Sequence, residues 1–229
     1  MIPHLIHMIY FPWGKDQRLL ADPHAFDHGP CERMCRYAPD FEVRLWTLPD
    51  AQAHCERCHP GIWDVLLAAP RPMMMVDYLR WLVVHDCGGI YWQYDFNALA
   101  PMQQMLPSPE KQVRLFTEFV NDSETCRKMA EEPIRQGEPE ESIRVVNQVF
   151  SAPAGHRFIR STMDLIEHRL RTCTFRKDYD LLFISANAAV STAYDRFGKD
   201  DPTVELMPLE VTRRSFKIIY RGTWRTDSR

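Results

Sequence analysis

The chain contains no run of about 18 apolar residues, the length a bilayer-spanning helix needs, so no segment reads as a transmembrane span. Its opening residues, MIPHLIHMIYF, have neither a basic start nor a small-residue cleavage site. They read as a buried strand rather than an export signal. Gly-x-Gly-x-x-Gly, the P-loop, His-Glu-x-x-His and the Gly-x-Ser-x-Gly elbow are all missing, which leaves dinucleotide, nucleoside-triphosphate and hydrolase readings without support. A net charge of −3 argues against general nucleic-acid binding. The expected location is the cytoplasm, either free or peripheral at the inner membrane surface.

The composition is 45% hydrophobic and 26% charged, which is ordinary for a globular protein. With 229 residues, one domain spanning 1–229 with a sizeable core is expected. Seven cysteines, an odd number without an export signal, suggest reduced thiols. Four fall in a Cys-rich segment, 30–60, as Cys31-x3-Cys35 and Cys55-x2-Cys58, with His54 and His59 flanking the second pair. Two short spacings of this kind suit a tetrahedral zinc site, because thiolates must converge on one small ion. Loose thiols are the other reading.

Alternating strand and helix patterns predict an α/β fold with a mainly parallel central sheet. Strands are expected at 4–10, 41–47, 90–95, 113–119, 145–150 and 215–220, and helices at 16–21, 30–37, 73–86, 156–171 and 186–197. Ile159, Met163, Ile166 and Leu170 form an apolar stripe that marks core. Residues 121–142 are charged and broken by Pro133, Gly137 and Pro139, so they read as a mobile surface loop. From Arg213 to Arg225 the chain is basic, and cations there can meet a diphosphate.

The most informative stretch is Val76 to Pro101, VDYLRWLVVHDCGGIYWQYDFNALAP. Val76, Leu79, Leu82 and Val83 recur at helical spacing and predict an amphipathic helix. Asp77 and Arg80, three apart, share one face of it. Gly88 and Gly89 stop the helix, and the strand that follows places Tyr91, Gln93 and Asp95 on one side.

This segment resembles the sugar-binding region of the DXD glycosyltransferases, the family of initiating mannosyltransferases, capsule enzymes and clostridial glucosylating toxins. The resemblance rests on Asp77, Arg80 and Gly88-Gly89-Ile90-Tyr91, followed by Gln93-Tyr94-Asp95 in place of Asp-x-Asp. Weaker matches are Ile2 to Tyr10, Phe41 to Thr47, Asn147 to His156 and Gly222-Thr223-Trp224. Three departures stand out: Gln93 for the first Asp, Ser185-Ala186-Asn187 for a Thr-Gly-Pro-like turn, and Tyr220-Arg221 where a His precedes the final block.

The resemblance implies a GT-A-like, Rossmann-type fold and a retaining transfer of a hexose from a UDP- or GDP-sugar. The acceptor would be a glycan, a lipid-linked sugar or a small molecule. Asp95 and Asn147 become the catalytic candidates. Tyr10, Asp77, Arg80, Tyr91, Gln93, Asp95, Arg221 and Trp224 become the donor-binding candidates, with Tyr10 stacking on the base or simply filling the core. Asp95 becomes the ligand of a weakly held or dispensable Mn2+ or Mg2+. Two alternatives stand beside an active transferase: a degenerate relative that binds a nucleotide or glycan without turnover, and a zinc-stabilised interaction protein.

Overall fold

The computed structural model describes residues 1–13, 19, 29–135, 137–138 and 141–217. The first half of the chain alternates strand and helix: β1 (Leu5–Ile9), α1 (Gly29–Tyr37), β2 (Glu42–Trp46), α2 (Leu48–Cys58), α3 (Ile62–Leu67), α4 (Pro72–Cys87) and β3 (Gly89–Trp92). A short β4 (Asn97–Ala98) precedes the long β5 (Val113–Val120), α5 (Ser123–Ala130), β6 (Ile143–Val145) and β7 (Val149–Ala152). Then come α6 (Arg157–Thr172), α7 (Asp178–Ile184), α8 (Asn187–Ala193), β8 (Val204–Met207), α9 (Leu209–Ser215) and β9 (Phe216–Lys217).

Seven strands form the central sheet, in the order β2-β1-β3-β7-β5-β6 with β8 on β5. β1 runs parallel to β2 and β3, and β5 parallel to β8, while β7 runs against both β3 and β5 and β6 runs against β5. Five of the seven strands therefore share one direction. β4 and β9 form a separate antiparallel pair.

Alternation along the strands divides the core between two faces. Ile9, Trp46 and Tyr91 pack with α2, α3, α4 and α6 on one side. Ile6, Met8, Ile90, Trp92 and Phe116 pack with Met34 of α1, Met102 and Phe216 on the other. Expected strands and helices recur within a residue or two at β1, α1, β2, α4, β5 and α6. Helix 16–21 lies outside the described residues except for Leu19, which bridges to Trp13.

Several expectations are corrected. Strand 90–95 stops at Trp92, because residues 93–96 turn, with Phe96 N–H donating to Gln93 O at 3.1 Å. Strand 145–150 is two strands, β6 and β7, separated at Val146-Asn147-Gln148. Segment 121–142 contains α5, N-capped by Asp122, whose carboxylate accepts from Thr125 N–H at 2.7 Å. None of its residues is buried, so it has no apolar stripe to announce it. Helix 186–197 is α8 followed by a π turn, Tyr194–Gly198.

The largest correction concerns α4. Its expected amphipathic character is absent, since every residue from Met74 to Val84 is buried. A helix covered on all sides belongs to the interior, and Asp77 and Arg80 go there with it.

Two features fix α4 to the sheet. Gly88 and Gly89 have φ of +67° and +114°, and a Cβ on Gly89 would sit 2.4 Å from the Leu5 carbonyl oxygen. Only glycine lets β3 approach β1 this closely. Beside this turn, His7 Nε2–H donates to Gly88 O at 2.8 Å, while its Nδ1 accepts from Trp46 Nε1–H at 3.0 Å. Burial pushes the His7 pKa from 6.5 down to about 4, which keeps the ring neutral.

Gly89→Ala is expected to destabilise the fold by about 2–4 kcal/mol, since the clash is with backbone and the φ is unfavourable for alanine; urea denaturation measures it. His7 carries a pH dependence. Its folded pKa lies below its unfolded value, so its contribution is complete above pH 6.5 and is lost as pH falls toward 4. The loss is up to about 3 kcal/mol. Thermal melts across that window should show a decline in the wild type that His7→Gln, less stable at pH 7, lacks.

Candidate functional site

β1, β2 and β3 all end on one side of the sheet, where open α/β folds place ligands. The break between β6 and β7 reaches the same place, for Gln93 N–H donates to Gln148 O at 2.9 Å. Asn147, in that break, is fully buried. Its side-chain oxygen accepts from Trp81 Nε1–H at 2.8 Å, and its amide donates to Asp77 Oδ1 at 2.9 Å. Trp81 itself stacks on Phe150 of β7, with ring centroids 3.9 Å apart.

Asp77 and Arg80 form an ion pair at 3.0 Å with side chains 2% and 1% exposed. The guanidinium also donates to the Asn147 carbonyl at 2.9 Å and lies over the Tyr91 ring. Asp77 Oδ2 accepts from Ser185 Oγ–H at 3.0 Å. Burial pushes the Asp77 carboxyl upward, against the pull of Arg80, Ser185 and Asn147. The sequence pattern places this pair toward a ligand; the structure sets it behind Tyr91, with its hydrogen-bonding capacity used inside the protein.

Tyr91 transmits the arrangement outward. Burial pushes its phenol up to about 12, so it stays protonated and donates weakly to Gln93 Oε1 at 3.4 Å. The half-buried Asp95 follows in the turn. Tyr10, just beyond β1, packs its ring against Tyr94 at 4.6 Å. Tyr10, Gln93 and Asp95 are thus gathered where β1 and β3 end, ahead of the Asp77–Arg80–Asn147 group. Arg221 and Trp224 lie outside the described residues.

The four cysteines do not make a metal group. Cys31 and Cys35 lie on α1, and Cys55 and Cys58 on α2. Among the described residues, no group of three or more metal-ligating side chains that converge on one point includes any of them. Cys55 is buried in the core, which pushes its thiol up to about 12, while Cys58 is exposed. Burial likewise raises Cys31 to about 11. Helical spacing keeps the members of each pair on one face, but the two pairs are apart, with Cys55 in the core on the α2, α3, α4 and α6 side of the sheet and Cys31 packed against the core on the other.

Sequence reasoning missed how the Ser185-Ala186-Asn187 turn is used. Besides the bond from Ser185 to Asp77, Asn187 Nδ2–H donates to Glu118 Oε2 at 2.6 Å, and Gln148 Nε2–H donates to Asn187 Oδ1 at 3.2 Å. The turn looked like a loss of contacts relative to the family pattern. It is a polar patch joining β5, the β6–β7 break and α8. The cluster Ser185, Asn187, Gln148 was available as a hint, since small amides and hydroxyls at element ends favour such bonds.

Removing one partner of the buried pair leaves the other charge stranded. Asp77→Leu is therefore expected to cost about 3–5 kcal/mol. Combining it with Arg80→Met should restore part of that, giving a coupling of about 0.5–3 kcal/mol in a double-mutant cycle measured by urea unfolding.

No protein-family model matches the chain, and no curated protein matches it by sequence. Among solved structures, the PaToxG glycosyltransferase superposes with a TM-score of 0.50 at 13% identity, covering 86% of this chain and 70% of that one. No helix among the described residues is long and apolar enough to cross a membrane. The chain has a mixed α/β, GT-A-like fold, the same architecture as a glycosyltransferase.

Proposed function

We propose that the chain is a retaining glycosyltransferase that moves a hexose from a UDP- or GDP-sugar to a hydroxyl acceptor. The observation that carries this reading is the buried Asp77–Arg80–Asn147 group, which holds Tyr91 behind the Gln93-Tyr94-Asp95 turn at the end of β3. Tyr10, packed on Tyr94, offers a face for the base.

The turn supplies one carboxylate. Covalent retention of the glycosidase kind uses two, about 5–5.5 Å apart, and Glu118 of the adjoining polar patch is engaged by Asn187, so same-face displacement is the reading we favour. In that reaction the bond from the anomeric carbon to the diphosphate breaks, and its electron pair leaves on the diphosphate oxygen. The acceptor hydroxyl bonds to the same face and passes its proton to the departing phosphate.

Asp95 does not belong to a preassembled set of three ligands among the described residues. Asp95 is an oxygen ligand of the kind Mn2+ or Mg2+ takes, and such an ion, bound together with the diphosphate, would neutralise charge on the leaving group.

A second reading has its own observation. Asp77 and Arg80 already satisfy each other, Asn147 and Ser185. A site so fully bonded internally, with Gln93 neutral, also suits a protein that binds a nucleotide sugar without turning it over.

Donor hydrolysis and donor binding separate the two. In a thermal-shift panel of sugar nucleotides with manganese, a binder raises its melting temperature without releasing sugar. A transferase releases sugar slowly, and Asp95→Ala should lower that release by about 10²–10³-fold with the fold intact. Near-wild-type turnover in folded Asp95→Ala would remove Asp95 from the reaction. Gln93→Asp, which restores a ligand charge, should bind manganese more tightly than wild type in calorimetric titrations with donor present.

A further inference from the structure

α4 begins at the proposed donor site, but its last turn meets a different group of side chains. His54, in the last turn but one of α2, points Nε2 at Asp86 Oδ2 from 2.7 Å. His59, the residue that caps α2, places its Nε2 at the same distance from the same oxygen. One nitrogen from each ring and one carboxylate oxygen lie within 4.8 Å of one another. We propose that His54, His59 and Asp86 bind one transition-metal ion, with zinc the best chemical match, at a site separate from the donor site.

The separation follows from helix geometry. Asp86 is nine residues beyond Asp77, roughly 14 Å along the helix axis at 1.5 Å per residue. The strands end near Asp77, whereas β3 begins just after Asp86.

The donor chemistry selects the ion. Two imidazoles and a carboxylate suit zinc and its neighbours in the transition series, while magnesium and calcium prefer oxygen alone. Zinc holds nitrogen and oxygen ligands at about 2.0–2.2 Å, so tetrahedral neighbours sit roughly 3.4 Å apart. The observed 2.7 Å separations are hydrogen bonds, and the ion needs each imidazole nitrogen to move about 0.7 Å away from the carboxylate oxygen.

The surroundings support a ligand role. The other carboxylate oxygen, Asp86 Oδ1, is held by His85 Nδ1 at 2.9 Å, which fixes the carboxylate plane as outer partners of metal ligands do. His59 and Asp86 are 18% and 16% exposed, so water can complete the coordination shell. One contact must yield. Arg57 lies 3.2 Å from His54 Nδ1, and a guanidinium can only donate. With the metal on Nε2 that nitrogen carries the proton, so Arg57, which is exposed, moves into solvent. The ion would tie the end of α2 to the end of α4 immediately before Gly88-Gly89.

The test uses the full chain, stripped with a chelator and titrated with Co2+ and then Zn2+. One ion per chain is expected, with a higher melting temperature when zinc is present. His59→Gln and Asp86→Asn should each abolish uptake, while Asp95→Ala and the Cys31→Ser/Cys35→Ser double variant retain it. The cobalt spectrum should show no thiolate charge-transfer band, because Cys58 and Cys87, the chain neighbours of His59 and Asp86, are not ligands. Absence of stoichiometric uptake, uptake unchanged in both ligand variants, or a thiolate band would each overturn the assignment. Should the variants not fold, NMR of the wild type decides: zinc must shift the ring signals of His54 and His59, and unshifted rings refute the site.

Discussion

A guanidinium with 1% of its side chain exposed must find partners for its charge and its N–H groups within the protein. Arg80 finds a carboxylate one turn away on its own helix and a carbonyl in the β6–β7 break. Burying such a pair contributes little net stability, because desolvation offsets most of the attraction. Its effect is on geometry. The Asn147 carbonyl is available only because the strand breaks there, and the Asn147 amide in turn holds Asp77. Helix α4, the break and the turn before α8 can therefore be assembled in one relative arrangement.

The same arrangement holds the end of β3 in place. Tyr91 is fixed from behind by the guanidinium, and the chain beyond it turns at once, so Gln93 and Asp95 are carried on a short segment attached to a rigid strand. Sites of this construction hold their groups more accurately than long loops do. On the far side of Gly88-Gly89, the neutral His7 ring joins β2 to that turn through Trp46.

Much of this was legible in the sequence because it depends on local rules. Periodicity gives β1, α1, β2, α4, β5 and α6 but not α2, α3, α5, α7, β8 or α9, and Gly88-Gly89 announces a turn whose backbone no other residue fits. The face shared by Asp77 and Arg80 was also readable; its burial was not. The charged pair suggests an exposed helix face, and only the sheet, α3 and α6 packed around α4 reverse that. The break at Asn147 was hidden for a similar reason, since Val145 to Phe150 is β-prone on both sides of it. The cysteine spacings pointed to one metal group, whereas the side chains that converge are His54 and His59, beside the second pair, with Asp86 from 27 residues further along. No pattern within one segment could have indicated that meeting.

A helix enclosed from Met74 to Val84 has a consequence for motion as well as for stability. Its amide hydrogens can reach solvent only when the helices and strands around it separate. Deuterium should therefore enter this stretch at the rate set by whole-molecule opening, while the exposed α5 exchanges through local fraying. A ligand at either end of α4 would then slow exchange along its entire length, so one helix records occupancy at both of its own ends.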